Sequence, residues 1–364
     1  MEKIFVGKRF IYLLFFAVMC SKVAVADNYA ILVSAGKATT DGEFDNSEYW
    51  YDLYLIYEYL LLWEHYDSAK VYVFYGDGND FNTSIDRYKK TLHNWGQITD
   101  YSNSYSTLSS VIPSLNNVIT DDDNLLFYWV AGHGIKAGPW SDDTYFALIN
   151  YNQNNPDDPN TDSVSKSQLV NMINSITHYN KRKIFWMTCN SGAMGGGLIN
   201  PNNNKTVLVT SSYPDVDSYA MEDSTHLPHS EFNFVLYCIS TGLYPHSSHN
   251  VDMGSVCSVL QNNSDSIISI YELFNGMNNF NYADFLYLYS CLFDVGGISN
   301  KIFIGEDKEL KDVTIDSNSS YWLDKMEVSE VELESDIDVI IDVDEQCVIK
   351  KNTFVPVGTT LLIK

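Results

Sequence analysis

The chain has 364 residues, 45% hydrophobic and 19% charged, which is enough apolar side chain for a sizeable core and argues against a globally disordered protein. Its formal net charge is −25; so acidic a surface repels phosphate backbones and anionic lipid, so nucleic acid is not an expected partner. The length suits one large α/β domain plus an appendage.

Lys3, Lys8 and Arg9 precede an apolar run from Phe10 to Met19, and Ala24-Val25-Ala26 supplies a small-x-small cleavage sequence. The run is too short to span a bilayer, and no later run reaches that length. Residues 1–26 therefore read as a signal peptide and the protein as exported: extracellular, periplasmic, or lysosome- or vacuole-like. A buried N-terminal helix and a lipid anchor on Cys20 are the other readings. Cleavage removes four basic residues and one acidic residue, taking the charge to −28, and leaves Cys189, Cys238, Cys257, Cys291 and Cys347. That odd number implies at least one free thiol; the other four allow three pairings, among which the sequence does not choose.

Residues 29–34 (YAILVS) begin the mature chain as a strand, and residues 48–65 carry helical apolar spacing. Residues 70–75 (KVYVFY) form a second strand and residues 107–119 a helix. Residues 124–130 (NLLFYWV) are continuously apolar, the pattern of a strand buried on both faces. A helix over 165–179 and strands over 183–188 and 206–211 follow. This alternation predicts a mostly parallel sheet covered by helices. Residues 136–143, 153–162 and 201–205 have the composition of loops. Beyond Gly305 the chain turns acidic and alternating, with Val339, Ile341 and Val343 between other residues, and residues 306–364 read as a small β-rich region or solenoid-like rung.

Chemistry concentrates at two strand ends. The 124–130 strand runs into Ala131-Gly132-His133-Gly134, and the 183–188 strand runs into Cys189-Asn190-Ser191-Gly192. Ligands of open parallel sheets bind outside the carboxyl ends of the strands, so both side chains emerge on one edge. A cysteine attacks carbonyls as thiolate, which a nearby imidazole promotes before protonating the leaving amine. The N–H groups of Gly134 and Cys189 are the natural donors to an oxyanion. Spacing alone leaves the ordinary alternatives standing: a core cysteine after a strand and a His-Gly turn.

LLFYWVAGHG followed by FWMTCNSG resembles the legumain family of cysteine peptidases, as do the opening NYAILVSAG…NSEYWYDLYLIYEYL and the closing YADFLYLYSCLFDVGGISNKIFIG. The resemblance covers residues 29–305, and Asn46, Asp52 and Tyr57 match family positions in the first helix region. It implies a caspase-like α/β fold, a mainly parallel sheet flanked by helices over 27–305. It also implies a thiol endopeptidase with nucleophile Cys189, general acid/base His133 and a His-orienting Asn46. Protein or peptide substrates are expected, and no cofactor or metal. The family's substrate pocket corresponds to Glu48, Met187 and Glu231, which replaces its arginine with an acid and puts asparaginyl specificity in doubt; two carboxylates there predict a preference for Arg or Lys. Gly132 stands where legumains carry an Asp associated with ligation. A catalytically silent binding protein and a transpeptidase are the competing functions.

Three weaker patterns remain. Residues 261–272 resemble a worn calcium loop ending in Glu272. His226-x-x-His229 and His246-x-x-His249 have zinc-ligand types, but read better as solvated loops. Asn82, Asn204, Asn262 and Asn318 begin N-glycosylation triplets, which chance supplies readily in an Asn-rich chain.

Overall fold

The computed structural model describes residues 27–36, 47–81, 95–136, 144–148, 163–200, 205–220, 229–245, 269–279, 290–294 and 299, together with the backbone of strands between 307 and 363. The segment read as a signal peptide and the loops over 137–143 and 153–162 lie outside these residues.

Six strands form the central sheet: β1 (Asn28–Ser34), β2 (Val71–Tyr75), β3 (Asn124–Ala131), β7 (Arg182–Trp186), β8 (Thr206–Thr210) and β9 (Cys291–Phe293), in the order β2-β1-β3-β7-β8-β9. All neighbours are parallel except the β8–β9 pair, where the edge strand β9 runs antiparallel. Both faces are covered, which is why β3 is buried along all eight residues and shows no polar alternation.

Successive strand residues point to opposite faces, and the core divides accordingly. Leu126, Tyr128, Val130 and Phe185 pack against α1 (Ser47–Leu62), α5 (Glu231–Thr241) and α6 (Ile270–Asn279). Phe127, Trp129, Ile184 and Trp186 pack against α2 (Tyr105–Ser114), α3 (Lys166–Asn174) and the short α4 (Gly195–Leu198). Trp129 and Trp186 stack across β3 and β7 with ring centroids 4.9 Å apart. The architecture is thus the expected α/β one, a mainly parallel sheet flanked by helices.

Three helices stop short of their expected ends. α2 gives way after Ser114 to a tighter 3-10 turn over Leu115–Asn117. α3 closes at Ser175, whose N–H bonds back to Asn171 O and Met172 O, and α1 gives way to a turn before His65, which takes the left-handed conformation at φ 57°. One feature has no run long enough to announce it: β4 (Gly134–Lys136), β5 (Thr144–Ala147) and β6 (Ser163–Ser165) make a separate antiparallel ribbon leaving the end of β3.

In the C-terminal region β10 (Asp307–Lys311), β12 (Ser319–Ser329), β14 (Asp338–Ile349) and β15 (Thr360–Ile363) pair in that order, every pair parallel. β11 (Thr314–Ile315) and β13 (Glu332–Leu333) form a second parallel ladder between them in sequence. Partners stand from 18 residues apart (Asp307↔Lys325) to 22 (Asp338↔Thr360), a solenoid-like register.

Candidate active site

The ladder persists just past the carboxyl ends of the strands. Ala35 N–H donates to Ala131 O (2.9 Å), Met187 N–H to Trp129 O (2.9 Å) and Ser211 N–H to Trp186 O (3.0 Å). The exits of β1, β3, β7 and β8 are therefore held side by side, and two of them carry His133 and Cys189.

His133 sits at the corner between β3 and β4. Its carbonyl accepts the Ala147 N–H at 3.0 Å, and its ring meets Tyr49 of α1 edge-on, centroids 5.8 Å apart. Because His133 and Ala147 form a bonded pair, the next pair, Gly134 and Phe146, is a non-bonded one, and the Gly134 N–H points out of the ribbon. Gly134 is pressed against the cysteine: a Cβ built on it would lie 1.9 Å from Cys189 O and 2.9 Å from its carbonyl carbon. Only glycine permits that approach.

The turn bearing Cys189 is fixed by main-chain and hydroxyl contacts. Asn190 takes φ 57°, a left-handed conformation that asparagine tolerates better than most residues, and donates to Val216 O from both N–H (2.9 Å) and Nδ2 (3.2 Å). Ser191 and Ser212, both buried, each donate their N–H to the other's hydroxyl, at 3.1 and 3.0 Å. Thr188 O accepts the Ser211 and Ser212 hydroxyls, both at 3.1 Å. This network ties the exit of β7 to that of β8 with its hydrogen-bonding capacity largely met internally.

The sulfur is half-buried beside Ser218. Ser218 N–H points at Sγ (3.4 Å), and the thiol can donate to Ser218 O (3.6 Å). Burial pushes the Cys189 thiol up from its ordinary value; the Ser218 N–H pulls it down, and the adjacent Asp217 carboxylate pushes it up again. The resting group is a thiol, and a base is needed to ionise it.

The other expected residues fall as follows. Glu48 is half-buried in the first turn of α1, beside Tyr49. Met187 and Glu231 are each 4% exposed; Met187 joins the core, and Glu231 opens α5 with its N–H on Tyr219 O at 3.0 Å. Asn46 lies outside the described residues, as do His226, His246, His249, residues 261–268 and all four glycosylation asparagines. Asp52 is completely buried and binds His229 Nδ1 at 2.8 Å and the Ser230 N–H, joining α1 to α5; His229 is thus a core residue rather than part of a solvated loop. Glu272 caps α6 by accepting the Ser269 N–H and hydroxyl, both at 2.9 Å. Among the described residues no group of three or more His, Cys, Asp or Glu could hold a metal ion, and Cys189, Cys238 and Cys291 carry free thiols. No described helix is long and apolar enough to cross a membrane.

Sequence reasoning missed Tyr49, Asp217 and Ser218. The rule that located His133 and Cys189, applied to the exit of β8, would have drawn attention to the segment after Ser211.

No family model and no curated protein matches the chain. Among solved structures, caspase-1 from Spodoptera frugiperda is similar, at 12% identity and a TM-score of 0.36 over 74% of this chain and 87% of that one.

Proposed function

We propose that the protein is an exported, legumain-like cysteine endopeptidase, with Cys189 as nucleophile and His133 as general acid and base. The observation that supports this above all is the contact between Gly134, the residue after the histidine, and the backbone of Cys189. The parallel sheet delivers both reactive groups to one edge, and the glycine allows them to close up.

The chemistry follows from these placements. His133 takes the thiol proton as sulfur attacks the substrate carbonyl carbon, and the oxyanion accepts hydrogen bonds from the N–H groups of Gly134 and Cys189. His133 then returns the proton to the leaving amine, and the C–N bond breaks to leave a thioester. Water, deprotonated by His133, attacks the thioester; the acid product departs and the thiol is restored. A raised thiol pKa makes the base indispensable, and such acid–base help is typically worth about 10²–10⁴-fold.

The deciding experiment profiles cleavage of a peptide library by the protein and by Cys189→Ala, with intact-mass detection of the acyl-enzyme. Cleavage that survives Cys189→Ala would refute the assignment. Products captured by an added amine would mean transfer rather than hydrolysis, and failure of a peptidyl electrophile to label Cys189 in any activated state would mean a silent binding protein. Export is checked by the N-terminus of the secreted protein, expected at Asp27.

A further inference from the structure

Residues 216–220, which follow β8, are fastened beside the nucleophile at both ends. Asn190 holds Val216 O through two donors, Ser218 lies on the sulfur, the Glu231 N–H holds Tyr219 O, and Ala220 bridges Ser230. Between the tethered Val216 and Ser218 stands Asp217, exposed, one residue before the Ser218 N–H that lies 3.4 Å from the sulfur, and its carboxylate is near enough to oppose ionisation of the thiol. Asp215 is also exposed, as are the rings of Tyr213 (46%) and Tyr219 (44%).

A carboxylate beside the nucleophile works against the chemistry, because it opposes the thiolate that must form. A cationic group in the substrate reverses that balance. It attracts the carboxylate, which hangs on two rotatable bonds and can swing off the sulfur, and arginine matches a carboxylate with a two-pronged contact. The net charge of −25 already draws cationic peptides towards the protein.

We propose that Asp217 is the specificity-determining residue, and that the site selects peptides with arginine or lysine immediately before the scissile bond. This rests on the peptidase reading above, and transfers the acidic role from the helix residues Glu48 and Glu231 to the segment that touches the sulfur. Binding of the cation withdraws Asp217 from the thiol, so the correct substrate eases ionisation of its own nucleophile. Among the described residues, the titratable side chains on the neighbouring elements are His133 at the β3–β4 corner, Tyr49 edge-on to its ring, and the first-turn acids Glu48 and Glu231 of α1 and α5.

The test uses the full chain with Asp217→Asn, Asp217→Glu, Glu48→Gln and Glu231→Gln. Fluorogenic peptides differ only in Arg, Lys, Asn or norleucine before the leaving group, and peptidyl acyloxymethyl ketones with Arg or norleucine report selection through the rate of Cys189 labelling. Arg and Lys should exceed norleucine by about five- to tenfold or more, with Asp217→Asn erasing the difference and Asp217→Glu keeping it. Separately, the pH midpoint for alkylation of Cys189 by iodoacetamide should move down in Asp217→Asn. The proposal is overturned if Arg and norleucine react equally in the unmodified protein. It is also overturned if Asn is the preferred residue, if Asp217→Asn keeps the preference, or if Glu48→Gln or Glu231→Gln erases it instead. Failure of the peptidase reading looks different: no peptide is turned over, while the ketone probes and the alkylation profile still report on Asp217.

Discussion

The Gly134 Cα rests against the Cys189 carbonyl so closely that an added Cβ would stand 1.9 Å from the oxygen. A methyl group there forces the two strand exits apart by more than an ångström. Displacements of that size cost about 10²-fold in rate when they separate reacting groups. Gly134→Ala should therefore lose about 10²-fold or more in kcat/KM with its circular dichroism preserved. Activity within about twofold of the parent would show that the contact does not position the site.

Removing the nucleophile is the simplest challenge to the mechanism. Cys189→Ala should abolish turnover, and His133→Ala should lower it by about 10²–10⁴-fold. Full activity in Cys189→Ala would end the assignment.

The hydroxyls of Ser191 and Ser212 answer each other's N–H groups in a site with no access to water. Either serine replaced by alanine strands a buried donor, a loss of about 1–3 kcal/mol in stability. The double replacement strands both N–H groups, yet should cost less than the two losses added together, since the contact between the two hydroxyls (3.0 Å) is already lost in either single change. Chemical denaturation of the four proteins measures this; strict additivity would mean that the pair does not interact.

Alkali should unfold the protein well before it saponifies anything. Burial pushes Tyr59, Tyr75, Tyr128 and Tyr237 above the ordinary 10.0, and Cys238 above the ordinary 9.0. Folded-state values above the unfolded ones mean that the unfolded chain gives up protons first, so stability is whole below about pH 9 and falls as pH climbs past about 10. Melting temperature and tyrosinate absorbance followed together should change in one step. Ordinary tyrosine titration in a protein that stays folded would contradict the burial.

Every group placed at the site precedes residue 305. A chain ending there should keep its fold and cleave small peptides at a rate close to that of the whole protein. A folded, soluble, inactive product would give the acidic C-terminal strands a part in catalysis.

The helices and strands that build the sheet are legible because burial on two faces leaves long apolar runs, as in residues 124–131, and because a rule about strand ends picks out His133 and Cys189. What holds the segment over the sulfur is mostly main chain: Val216 O, which accepts from Asn190, and the Ser218 N–H and carbonyl, which meet Sγ. Any amino acid carries those groups, so no side-chain pattern announces them. His229 shows the reverse failure. Its spacing from His226 imitates a metal motif, while its actual partner, Asp52, lies 177 residues away in sequence. The final acid of the calcium-like pattern, Glu272, is a helix cap, a local role that the same residue type fills equally well.

Parallel strands that pair with partners about twenty residues further on make a structure that lengthens by repetition. Duplicating one complete turn would extend the stack by about 4.8 Å while the rungs on either side keep their bonds. An odd-numbered slip within a rung would instead exchange the two faces of every residue beyond it. Between related chains, this region can therefore vary in length by whole turns without unpairing the rungs that remain.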